Sequence, residues 1–223
     1  MISAMKSHSK SHSNSLSCTL LVPVIGAILA VWLSSCFLMR KPAPPPAPDP
    51  SRNIPRVSMS EDYMRSRIGD IMVFLPKTWF LVNTQNSLST DVQGVAVNPS
   101  YSASLVLQTI RSSDLLRTRL QREGLGGLAR YAFDQRASKS PSALRLLSVT
   151  DTLEYAGKRY GYYEFSTDTA GTPTTRMRSA VCLSSEKNFY EISLVPTTVT
   201  VSNVPSDKEL NDVFQSLLVT SIF

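Results

Sequence analysis

LLSVTDTLEYAGKRYGYYEFST, residues 146–167, sets two runs rich in β-branched and aromatic residues on either side of Ala156-Gly157-Lys158. Such runs parted by a glycine-bearing turn predict a hairpin, with strands over 146–155 and 159–167. After a polar loop at 169–173, two more runs follow at 175–183 and 189–195, joined by residues 184–188. Four strands linked by short turns read as an antiparallel meander.

Upstream of the meander the pattern is similar until residue 110. Residues 71–75 and 79–82 read as short strands around Pro76-Lys77-Thr78, and 92–97 and 103–110 as two more, parted by Asn98-Pro99-Ser100. The period then changes. Ser113 can cap a helix whose first turn holds Asp114, and Leu116 and Leu120 recur four apart. From the glycines at 124, 126 and 127 onward, Leu125, Leu128, Ala129, Ala132 and Phe133 form one apolar face, with the glycines kinking or splitting the helix.

A second helix closes the chain. Ser206-Asp207-Lys208-Glu209 is a capping box, and Leu210, Val213, Phe214, Leu217 and Leu218 make a continuous apolar stripe. One sheet with helices from two separate places in the chain predicts an α+β fold, an antiparallel sheet flanked by helices in a layered sandwich.

The order of these pieces resembles the PsbP/Mog1/DcrB-like group. The resemblance rests on Pro76-Lys77-Thr78-Trp79 between the first two strands, the long middle helix, YGYYEF at 160–165, FYEISL at 189–194 and the closing helix that ends in VTSIF. It covers about residues 66–223 and implies a curved antiparallel sheet between helices, with a role in binding or assembly. Fold alone does not supply a function.

The first 65 residues have a different character. Residues 1–17 carry Lys6 and Lys10 and no acid, and residues 20–33 (LLVPVIGAILAVWL) then run without a charge. Such a run spans about 21 Å as a helix, short of the roughly 30 Å hydrocarbon layer, and suits the core of a signal peptide. Extended over residues 18–39, it would reach about 33 Å, so a single spanning helix is the alternative. Arg40 and Lys41 beyond it oppose retention of such a span, while Lys6 and Lys10 favour insertion with the N-terminus inside.

Leu33-Ser34-Ser35-Cys36 resembles the lipobox of bacterial lipoproteins, an aliphatic residue and two small ones before a cysteine. The resemblance implies cleavage before Cys36 and acylation of its thiol, with palmitate-like chains anchoring the protein. At about 0.8 kcal/mol per buried CH₂, two or three chains hold stably where one is marginal. Residues 42–50 (PAPPPAPDP) favour extended polyproline, a stalk of roughly 28 Å. The chain thus divides into a lipoprotein signal peptide at 1–35, a lipidated cysteine with a tether at 36–65, and a globular domain at 66–223. Phe37 stands where an aspartate often marks inner-membrane retention, which points towards the outer membrane.

The formal charge of +6 would suggest an anionic partner. Its placement argues otherwise: six of the 23 basic residues and one of the 17 acidic ones precede residue 57, leaving 17 against 16 in the domain. Nucleic acid is therefore not expected. Residues 111–145 hold eight basic residues against Asp114, Glu123 and Asp134, which reads as a solvated helix face.

Both histidines, His8 and His12, lie in the leader, so the domain lacks the commonest general base and metal ligand. No Ser/His triad, G-x-S-x-G elbow or P-loop occurs. Of Cys18, Cys36 and Cys182, the last alone falls in the domain, where it reads as a small buried apolar residue. Glu154, Glu164 and Glu191 sit on expected strands and read as partners of Arg159, Arg176 or Arg178. No enzyme, cofactor or metal site is expected.

The candidate binding surface is aromatic: Tyr155, Tyr160, Tyr162, Tyr163 and Tyr190, with Arg159 nearby. The expected function is a lipid-anchored cell-envelope protein whose domain binds or helps assemble another envelope protein. A single-span membrane protein with the same domain, or an envelope hydrolase, are the alternatives.

Overall fold

A computed structural model describes residues 50–83, 89–140, 143–167, 176–197 and 205–223. The apolar leader, Cys36 and the proline tether to residue 49 lie outside the described residues. After a 3-10 turn at Pro50–Asn53, the strands and helices run β1 (Met59–Arg65), β2 (Met72–Pro76), β3 (Phe80–Leu81), β4 (Val92–Val97), β5 (Ala103–Ile110), α1 (Asp114–Lys139), β6 (Leu144–Tyr155), β7 (Lys158–Thr167), β8 (Arg176–Leu183), β9 (Phe189–Pro196) and α2 (Asp207–Thr220).

The hairpin that opens the sequence reading is β6–β7. Tyr155 pairs with Lys158, so the loop is only Ala156-Gly157, and both adopt positive φ, 49° and 73°. Two left-handed residues form the turn whose twist matches that of the flanking strands. From there β7, β8 and β9 pair antiparallel in sequence order, and β9 pairs with β5. The sheet order is β3-β4-β5-β9-β8-β7-β6, and β1-β2 form a separate two-stranded sheet. The fold is α+β, an antiparallel sheet with helices on its faces.

Side chains alternate between two cores, as the pleat requires. Tyr163, Phe165, Met177, Val181 and Phe189 meet Leu128, Ala129, Ala132 and Phe133 of α1. On the opposite face Leu105, Leu107, Tyr160, Ala180, Ile192 and Leu194 meet Leu210, Phe214, Leu217 and Leu218 of α2, together with Ile71, Val73 and Leu75 around β2. The expected stripes on both helices are the ones buried.

Capping follows the sequence. Ser113 Oγ accepts from Leu116 N at 3.1 Å, and Ser206 and Glu209 form the reciprocal box, with Ser206 N donating to Glu209 Oε2 at 2.7 Å. The break in α1 is at Gly124 alone, at φ 62° and ψ −153°. That kink brings Leu125 against β7: a Cβ built on Gly161 would stand 2.2 Å from Leu125 O. Only a glycine lets the helix backbone sit there.

Two expectations on the N-terminal side need correction. The stretch 36–65 does not remain a tether to its end, because residues 59–65 pair with β2 and the amides of Arg56 and Val57 donate to Ser216 Oγ of α2 at 2.8 and 3.1 Å. Met64 alone is buried among MSEDYMR, so the sequence shows no alternation; the strand exists because β2 supplies a hydrogen-bonding partner and Tyr63 rests on Phe74. The strand expected at 79–82 is also shorter. It covers Phe80–Leu81, since Thr78 is held at φ 75° in the preceding turn.

Candidate functional site

The tyrosines do not form a surface. Tyr160 is 0% exposed and donates from its hydroxyl to Leu218 O at 2.8 Å, with its ring edge-on to Phe223. Tyr190 is 2% exposed and donates to Asp70 Oδ1 at 2.6 Å. Tyr162 and Tyr155 are half-buried against the α2-side core, Tyr162 resting on Phe214 at 5.8 Å. Tyr163 points to the other face, and of this group Arg159 alone is exposed. A seven-stranded sheet covered on both faces buries both sides of its inner strands, so tyrosines that suit a strand become core.

Asp70 belongs to this buried framework. Its carboxylate accepts from Ser66, Ser184, Asn188 and Tyr190, tying the β1–β2 turn to the β8–β9 turn. Partial burial pushes its pKa up, and the four donors outweigh that and hold it at about 2. Cys182 is buried as expected, 0% exposed, and burial pushes its thiol up. Glu164 faces Arg176 and Arg178 at 3.7 and 3.8 Å, the cross-strand pairing expected of it.

Glu191 does something else. Buried on the α1 face of β9, it accepts from Arg136 Nη2 at 2.6 Å, from Tyr163 Oη at 2.5 Å and from Ser193 Oγ at 2.8 Å on Oε1, and from Gln108 Nε2 at 2.5 Å on Oε2. Arg136 Nη2 also donates to Ser193 Oγ at 2.8 Å, and its guanidinium lies 5.1 Å from the Phe165 ring centre. Burial would raise the Glu191 pKa, but the Arg136 charge and the donors leave it lowered. Burial likewise pushes Arg136 down, and the charge of Glu191 leaves it raised. Burial and the neighbouring Glu191 both push Tyr163 up.

Gln108, Arg136 and Glu191 of this network line the floor of a cavity of about 400 Å³ between the C-terminal half of α1 and the sheet. Ile110, Leu144, Phe165, Met177 and Val195 supply apolar walls. Lys139 and Asp91 stand at the rim, where Asp91 accepts from Arg111 at 2.8 Å and lies 3.5 Å from Lys139. The volume is at the lower end of small-molecule sites, and a few fixed polar groups among apolar walls are their usual composition.

Sequence reasoning missed this site although two signals were present. Glu191 interrupts a central strand buried on both faces, a position that demands a cation. Arg136 falls four residues after Ala132 and seven after Ala129, on the apolar stripe of α1. Elsewhere in the basic run Arg117, Arg122 and Arg130 are exposed, as a solvated helix face requires, while half-buried Arg119 pairs with Asp134 at 2.8 Å.

No family model matches the chain, and no curated protein matches it. Among solved structures, cyanobacterial PsbP (CyanoP) from Synechocystis sp. PCC 6803 superposes with a TM-score of 0.52 at 13% identity, over 75% of this chain and 94% of that one. The fold is PsbP-like. A mutant of the protein Mog1 superposes at 0.47 with 13% identity, over 73% of this chain and 95% of that one. At such identities the likeness concerns the fold alone. Among the described residues no helix is long and apolar enough to cross a membrane, and no group of three His, Cys, Asp or Glu side chains is placed to hold a metal.

Proposed function

We propose that this chain is a lipid-anchored protein of a bacterial cell envelope, and that its PsbP-like domain is a binding or assembly module for another envelope protein, not an enzyme. The α1–sheet cavity is where the partner is received. The carrying observation is the state of Glu191 and Arg136 at its floor and of Tyr163 bonded to Glu191: Glu191 is pushed down, Tyr163 and Arg136 are pushed up, and all three are hydrogen-bonded in place. A general acid or base works best with a pKa near the working pH, and these groups are driven away from it. Held rigid and fully charged or fully neutral, they suit recognition.

The anchoring part of the reading rests on Leu33-Ser34-Ser35-Cys36 at the end of the apolar run and on the proline-rich stalk behind it. Protein isolated from its native host should begin at Cys36 and carry acyl mass there, and Cys36→Ser should leave the uncut precursor. Residues 1–35 still attached to an unmodified thiol would refute it. For the module, a photocrosslinker at Lys139 in intact cells should capture one defined partner. Equal capture from a control position at Glu186, which lies outside the cavity lining, would refute the assignment of the cavity.

A further inference from the structure

The cavity is asymmetric in what it offers a ligand. Its carboxylates are occupied: Glu191 Oε1 takes three donors and Oε2 takes one, while Asp91 takes Arg111 and Lys139. Its donors are not. Arg136 is bound through Nη2 to Glu191 and Ser193, and among the described residues its buried Nε has no hydrogen-bond partner. Lys139, with a side chain 63% exposed, reaches Asp91 only at 3.5 Å and is free to turn to a stronger partner. Counting Arg111, Arg136 and Lys139 against Asp91 and Glu191 leaves one positive charge in surplus.

Beside these donors the walls are Phe165, Met177, Leu144 and Val195. A planar guanidinium fixed over an aromatic ring is the arrangement that holds a carboxylate in a defined orientation. An ammonium head would find both carboxylates already paired, and a wholly apolar ligand would give the unpartnered guanidinium N–H no acceptor.

We propose that this cavity binds an amphipathic carboxylate, its head against the Arg136 guanidinium and Lys139 Nζ and its hydrocarbon body on Phe165 and Met177. This deepens the binding-module reading and rests on it for the choice of cavity. The same chemistry is carried by a free short-chain carboxylic acid and by the C-terminal residue of a polypeptide that ends in an apolar side chain.

The test uses the full-length protein in lipid nanodiscs, with empty nanodiscs as the blank. Hexanoate is compared with 1-hexanol, and N-acetyl-Leu-Phe acid with its amide, by calorimetric titration at pH 7. Each carboxylate should bind about tenfold or more tightly than its uncharged counterpart, the worth of hydrogen bonds to a charged group. Lys139→Gln should weaken the acids about three- to fivefold and leave the neutral compounds unchanged. Thr167→Trp, which fills the cavity mouth and leaves the ion pair alone, should abolish binding while the thermal melt stays cooperative.

Stronger binding of the dipeptide acid assigns the site to a partner's C-terminus, and stronger binding of hexanoate assigns it to a free acid. Equal binding of acid and neutral pairs, no binding by any probe, or unaltered binding in Thr167→Trp would overturn the proposal. If the probes fail while Lys139 still crosslinks one partner in cells, the module reading stands and the ligand chemistry falls. The converse result separates them the other way.

Discussion

Gly161→Ala should be among the most damaging single-methyl changes in the protein. The new Cβ would stand 2.2 Å from Leu125 O and 2.8 Å from Leu125 C, and both are backbone atoms at the kink of α1. A carbon and a carbonyl oxygen normally approach no closer than about 3.3 Å, so α1 must retreat by about 1 Å or β7 must bend. Retreat loosens the contacts of Leu128, Ala132 and Phe133 with Tyr163 and Phe165. Overpacking of this kind costs about 1–3 kcal/mol, and the rigid obstacle puts it near the upper end, about 3 kcal/mol. For a domain of this size that lowers the thermal midpoint by roughly 6–12 °C. Two controls separate the clash from glycine's other roles. Gly157→Ala meets nothing within 4 Å but must keep φ near 73°, a left-handed cost of about 1–2 kcal/mol. Gly94→Ala meets only the Met64 side chain at 3.1–3.2 Å, and a flexible thioether yields at about 1 kcal/mol or less. Urea and thermal unfolding should therefore rank Gly161→Ala as the worst of the three. A value within about 0.5 kcal/mol of the parent, the ordinary range for an innocuous substitution, would refute the seating of α1 on β7.

The other predictions concern the buried polar groups. Glu191→Ala leaves Arg136 buried without its counter-ion and should cost about 3–5 kcal/mol in urea unfolding, with Glu191→Gln costing less because it keeps acceptor geometry for Tyr163 and Ser193. Asp70 is held at about 2 in the fold against an ordinary 3.8, so its contribution is complete above about pH 4 and is lost as pH falls through 2. At about 1.4 kcal/mol per pH unit the full shift would exceed 2 kcal/mol, and partial solvent exposure reduces this to about 1 kcal/mol. Asp70→Asn should accordingly remove that amount at pH 7 and flatten the acid limb between pH 4 and 2; an unchanged limb would place the acid sensitivity elsewhere. Cys182, fully buried with its thiol pushed up, should react with a thiol reagent at the rate of unfolding, and faster labelling would show local opening of β8.

Secondary structure was legible in this sequence wherever short-range chemistry decides it. Ser113 and Ser206 mark their helices because a hydroxyl must satisfy free amides there, and the stripe at 210, 214, 217 and 218 shows the buried side because a helix repeats every 3.6 residues. The turn at Ala156-Gly157 fixed the hairpin register for a comparable reason, since two positive φ angles are needed in a row. β1 escaped notice because its hydrogen-bonding partner β2 is what makes it a strand, and its own side chains carry almost no apolar signal.

The candidate site was the least legible part. Tyr160 and Tyr190 looked like a binding surface because tyrosine suits an exposed patch as well as a strand, and they are core because α2 and β2 cover their face of the sheet. Glu191 looked like half of a strand-to-strand pair, whereas its partner Arg136 comes from a helix 55 positions earlier in the chain. Sequence by itself determined the α+β class, the two helix faces and the neutral balance of the domain, since these depend on periodicity and composition within a few residues. Which titratable side chains meet, and whether they stay wet, was decided by the tertiary structure, because a cavity belongs to two elements at once and to neither sequence alone.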